Sequence, residues 1–140
     1  MKGRVIFLIT IGVLLLISIV GKAQINLLKH EKSYVINIMK LDTSFLVENE
    51  VVDKELTVVW CNKKHPTEDN YRHLVLFFKS DTLVMYEVVD FKSKLSRYII
   101  TLNQKYTKQN EDTWIDISNS IAYVLKVFDD GYLGMYVKPL

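Results

Sequence analysis

Cys61, His65 and His73 are the residues whose types and spacing could do chemistry. A thiol-dependent enzyme needs a thiolate and a base within hydrogen-bond reach. Cys61 ends an apolar run, His65 follows in a polar stretch, and His73 opens the next apolar run. Read as ligands, the same three form Cys-x3-His-x7-His, enough for a zinc ion with one open position. Neither pattern is completed. No thiol-peptidase motif flanks Cys61, no fourth ligand is specified, and His30 is distant in sequence. A free cysteine beside Trp60 has the ordinary place of a small buried hydrophobe. A glycine-rich phosphate loop, a nucleophile elbow and a paired-histidine helix are also missing from the sequence. The reading is of no catalytic residue, no metal and no cofactor, with a thiol-dependent hydrolase using Cys61 and a histidine as the rival.

The chain has eight tyrosines and two tryptophans, side chains that give a recognition surface large contact area at low entropic cost. The strongest loop signal runs from Asn62 to Tyr71 and includes Pro66, which cannot donate to a ladder. Trp60, His65, Tyr71 and Arg72, in and beside that loop, are the candidate interaction surface. The carboxylates have structural explanations: Asp129-Asp130-Gly131 is a hairpin turn, Asp90 a helix cap, and Glu48, Glu50, Asp53 and Glu55 a solvated connector.

These residues are positioned by a small set of elements. Three-and-four spacing of apolar residues predicts a helix over 26–40, although Tyr34, Ile36 and Ile38 also alternate as in a strand. A second helix follows Asp90, with Leu95, Tyr98, Ile99, Leu102 and Tyr106 on one side and Lys92, Lys94, Arg97, Gln104 and Lys105 opposite. Six strands are expected, at 56–61, 73–79, 82–91, 114–117, 121–128 and 132–137. The connector 41–55 has room for one more short strand. Gly134, inside a strand, marks a bulge or a close neighbour. The fold class is α+β, with two helices packed on an antiparallel sheet of about six strands. Its alternative is a cystatin-like or NTF2-like curved sheet around a helix.

A weak internal repeat, 26–91 and 92–140, would make the fold two α-β-β-β units. It rests on three echoes: Tyr34–Ile38 with Tyr98–Leu102, Trp60 with Trp114, and Leu83–Tyr86 with Leu133–Tyr136.

The first residues decide the compartment. Lys2 and Arg4 precede an uncharged run from Val5 to Val20, and Gly21-Lys22-Ala23 offers small residues before a cut. These are the parts of a secretory signal peptide, 1–23, followed by a single domain, 24–140. A helix over that run would rise about 24 Å, against a hydrocarbon core of roughly 30 Å. An uncut inner-membrane anchor is the alternative. The leader resembles those of small exported Bacteroidota proteins, a resemblance confined to residues 1–24 that implies export and carries over no functional residue. Without Lys2, Arg4 and Lys22 the 18 basic residues become 15 against 16 acidic ones, a mature charge of −1. Nucleic acid is therefore not expected as a partner.

The sequence thus reads as a small exported, non-enzymatic binding protein of the bacterial envelope, periplasmic or secreted, whose partner is a protein or a surface polymer. The rival readings are the thiol hydrolase and a membrane-anchored envelope factor that keeps residues 1–24. Expressed in a Gram-negative host, the chain is expected to appear as a soluble species beginning at Gln24. Intact mass after fractionation checks this, and an uncut species in the membrane pellet would establish the anchored form.

Overall fold

The computed structural model describes residues 27–67 and 72–140, so the leader and Tyr71 lie outside the described residues. Helix α1 spans Lys32–Leu41. It starts later than its apolar spacing suggests because the preceding residues bond elsewhere. The Lys29 N–H donates to the Leu83 carbonyl, the Leu83 N–H to the His30 carbonyl and the Lys32 N–H to the Asp81 carbonyl. Leu27 and Leu28 are buried in that turn, while Val35 and Met39 are the buried side of the helix. Tyr34, expected on the apolar side, is half exposed and lies against the His30 ring, 4.9 Å between centroids.

Eight strands follow in two groups. β1 (Phe45–Asp53), β2 (Leu56–Lys63), β3 (His73–Lys79) and β4 (Thr82–Phe91) precede a short 3-10 turn and helix α2 (Leu95–Lys105). β5 (Thr107–Lys108), β6 (Thr113–Asp116), β7 (Ile121–Val127) and β8 (Tyr132–Pro139) complete the chain. They form one antiparallel sheet in the order β1-β2-β3-β4-β8-β7-β6-β5. Among the described residues the α+β class, two helices and antiparallel sheet stand as the sequence reading has them. The strand number rises from six to eight through the two edges, β1 and β5.

β1 escapes the sequence pattern for a physical reason. Its register shifts between Glu48 and Glu50, so Phe45 and Val47 share a face with Glu50 and Val52. A bulge breaks a period-2 alternation in this way. The exposed acids Glu48, Glu50 and Asp53 then sit on an edge strand, where charge discourages pairing with another chain. At the β3–β4 turn both Ser80 (φ 48) and Asp81 (φ 61) take positive φ, the two-residue connection whose twist matches its strands.

One face of the sheet carries the core. Val59 and Cys61 of β2, Leu74, Leu76 and Phe78 of β3, Tyr86 and Val88 of β4, and Leu133 and Val137 of β8 join Val35, Met39 and Leu102 from the helices in one buried cluster. The halves match in element order, each a helix followed by four strands instead of three. The two tryptophans do not match in face. Trp114 pairs with Tyr123 and shares the core face, whereas Trp60 pairs with Val75 on the opposite face. A one-residue offset in a strand exchanges faces. Among the described residues no helix is long and apolar enough to cross a membrane.

On the face opposite the helices, Trp60, Val75, Glu87 and Tyr136 stand in one cross-strand row. Glu87 is 8% exposed, and burial raises its carboxyl pKa, with the Tyr136 hydrogen bond and the Lys126 charge opposing. Gly134 lies beside it. A Cβ there would run into the Glu87 carboxylate and come within 3.0 Å of the Phe128 ring, so the close neighbour, not a bulge, explains this glycine. Gly134→Ala is expected to destabilise the fold by about 1–3 kcal/mol, read as a lower midpoint in denaturant. Combining it with Glu87→Ser recovers part of the loss. An unchanged midpoint for the single variant contradicts this packing.

Candidate functional site

Cys61 and the histidines do not assemble. Cys61 is fully buried on the core face, and burial pushes its thiol up to about 12. His73 is one residue away from Leu74, the partner of Cys61, and therefore turns to the other face. There its Nδ1 lies 2.6 Å from Asn62 Oδ1, and burial lowers its pKa against the opposing charge of Glu48. His65 is exposed beyond the end of β2. Among the described residues no three His, Cys, Asp or Glu side chains converge to hold a metal ion. The geometry lacks the reactive thiolate that nucleophilic chemistry at Cys61 requires.

The four residues of the expected interaction surface are separated as well. Trp60 is half-buried on the face away from the helices, His65 lies in the loop, and Tyr71 is outside the described residues. Arg72, just before β3, turns to the helix-bearing face, where its Nε is 3.7 Å from Asp90 Oδ2.

Asp90 organises a different site. It has no exposed surface, and its partners come from three directions. Oδ1 accepts from the Phe91 N–H and from Lys94 Nζ, each at 2.8 Å, and Oδ2 accepts from the Tyr98 hydroxyl at 3.0 Å. Asp90 thus does not cap α2 as its sequence position suggests. It ties the helix to β4 through Lys94 and Tyr98 and draws Arg72 in from the other side.

Between α2 and the sheet, next to this anchor, is a cavity of about 310 Å³. Tyr86 and Val88 of β4, Tyr123 of β7 and Met135 of β8 line its sheet side. On α2 two adjacent ridges at four-residue spacing do different work. Tyr98 and Leu102, continued by Tyr106 just past the helix, face the sheet, while Arg97, Thr101 and Lys105 are exposed at the mouth. Among the described residues neither Arg97 nor Lys105 enters an ion pair. Arg72, Lys94, Arg97 and Lys105 thus set four cations along one cleft, two of them paired with Asp90.

Three of the tyrosines inside, Tyr98, Tyr106 and Tyr123, are bonded to protein groups. Tyr106 and Tyr123 stack with centroids 4.4 Å apart, and the Tyr123 hydroxyl donates to that of Tyr106 at 3.2 Å. Burial raises the pKa of Tyr86, Tyr98 and Tyr123, so all three remain neutral phenols at physiological pH. The interior consequently presents mainly ring faces and apolar side chains, with the Tyr86 hydroxyl as the polar group not bonded to another side chain among the described residues, and the charge sits at the rim.

The larger cleft beside α1, about 730 Å³, mixes Glu31, Glu48, Glu50 and Asp81 with Lys32 and Lys40. Lys32 there is already paired with Glu50, and the four acids against two lysines leave that cleft with a net charge of −2. The cationic cavity has the sharper chemistry.

Sequence reasoning missed this site although a signal was present. Between Asp90 and Glu111 stand Lys92, Lys94, Arg97, Lys105 and Lys108 with no acidic residue. A basic amphipathic helix of that kind points to an anionic partner. Comparison with protein-family models, with curated proteins and with solved structures finds no match to this chain.

Cys61 supplies the prediction here. At pH 8 iodoacetamide is expected to label it on the order of a thousandfold more slowly in the folded than in the unfolded protein. The thiol titrates near 9.0 when unfolded and about 12 when folded, so its contribution to stability is complete below pH 9 and falls as pH rises toward 12. Rapid labelling of the folded protein, followed by mass spectrometry, would restore the thiol-enzyme reading.

Proposed function

We propose that this chain is a small exported, non-enzymatic binding protein that engages its partner through an anionic group held at the α2 cleft. One observation carries the reading: Arg97 and Lys105, without ion-pair partners among the described residues, stand with Arg72 at the mouth of a preformed cavity. Cations whose carboxylate partners are not supplied by the fold favour a carboxylate or phosphate from outside, and Arg offers a planar fork that fits either. The buried thiol and the separated histidines leave binding as the better-supported role. Export rests on the basic, apolar and small-residue order of the leader.

Inorganic phosphate, polyphosphate, glucuronate and polyglucuronate, added to isotope-labelled protein from an exporting host, test the reading by amide shift mapping. Shifts are expected at Arg97, Thr101, Leu102 and Lys105 and should weaken as salt is raised. Arg97→Gln with Lys105→Gln should reduce affinity about tenfold or more. Shifts confined to the neighbourhood of Trp60, or affinity unaffected by the double variant, would move the site elsewhere.

A further inference from the structure

The cleft is sharply amphipathic over one helical step. Arg97, Thr101 and Lys105 form the ridge at its mouth, and Tyr98 and Leu102 form the neighbouring ridge that faces the sheet. A ligand carrying only charge would satisfy the rim and leave the interior unfilled, because apart from the Tyr86 hydroxyl the interior offers mainly rings and aliphatic groups. The Tyr98 hydroxyl is committed to Asp90 and the Tyr123 hydroxyl to Tyr106. Val88 and Leu102 at the cavity wall are 7% and 3% exposed, and Met135 completes the apolar lining. At about 310 Å³ the space is at the small end of the range for small-molecule sites, so what is inserted is one small body.

We infer that the cleft binds a small amphiphilic anion, a phosphate or carboxylate head held by Arg97, Lys105 and Arg72 with an alkyl or acyl body inserted between α2 and the sheet. This rests on the reading that the cleft takes an anion, and goes further by naming what the anion is attached to. The cavity exists without the ligand because Asp90 fixes both of its sides: Lys94 and Tyr98 hold the helix, and Arg72 is held from the sheet side.

A series with a constant head decides it: inorganic phosphate, butyl phosphate, hexyl phosphate and octyl phosphate, each below its micelle concentration, titrated calorimetrically into the protein from an exporting host. Affinity should rise about fourfold per methylene and level off when the tail outgrows the cavity, with one site per chain. Thr101→Trp changes an exposed position at the mouth and should remove the length dependence while the protein stays folded by circular dichroism. Equal affinity along the series would overturn the amphiphile and leave the anion site standing. No binding by any member, inorganic phosphate included, would overturn both. Sedimentation with phosphatidic acid vesicles separates the sources of such a head. Co-sedimentation lost in Thr101→Trp identifies a membrane lipid, and its absence beside tight octyl phosphate binding identifies a free amphiphile.

Discussion

Six residue pairs, from Tyr86 opposite Val137 to Phe91 opposite Tyr132, join the two halves of the sheet. Everything else in each half is local: β1 to β4 pair in sequence, and so do β5 to β8. Among the described residues the β4–β8 ladder is the only strand pairing that crosses from one half to the other, and it requires closing a long stretch of chain. Without it, β4 and β8 would each be an unpaired edge of apolar residues, a liability in any sheet. With it, the outer edges become β1, which bears acids, and β5, which has two residues.

The same ladder creates the cleft. Val88 is opposite Met135 and Asp90 is opposite Leu133, which brings the end of β4 and the β7–β8 hairpin under α2. Asp90 is then a charge placed where water does not reach. A buried carboxylate is tolerated only when its partners are close and numerous, and removing one partner from such a pair typically costs roughly 3–5 kcal/mol. Lys94, Tyr98 and the Phe91 N–H meet that requirement. The consequence for function is geometric. The groups that solvate Asp90 also fix the helix against the sheet, and the charged ridge of α2 is left at the mouth of a cavity that its apolar ridge helps to line.

The two faces of the sheet divide the residues that looked alike in sequence. Cys61 and His73 are separated by the pleat, as are Trp114 and Trp60. Arg72 reaches the helix-bearing face while Trp60 remains on the other, so neighbours in the candidate surface belong to different environments. Spacing along a chain cannot assign a face until the register is known, because one residue more or less exchanges the two sides.

By itself the sequence determined most element types: the amphipathic helix after Asp90, six of the strands, and the hairpin turns at Ser80-Asp81 and Asp129–Gly131, while it left 33–39 between helix and strand and Gly134 between a bulge and a close neighbour. These are local properties, written in periods of 3.6 and 2 and in turn residues. β1 showed only as room for a short strand in the connector 41–55 because its bulge interrupts the period, and β5 stayed hidden because two residues carry none. Tertiary structure alone decided the partner of β4, the start of α1 at Lys32, and the role of Asp90, since each depends on backbone or charged groups distant in sequence being satisfied in the interior. It also decided the site. The five cations between Asp90 and Glu111 were visible from the start, but a charged ridge becomes a binding surface only when packing sets a cavity beside it.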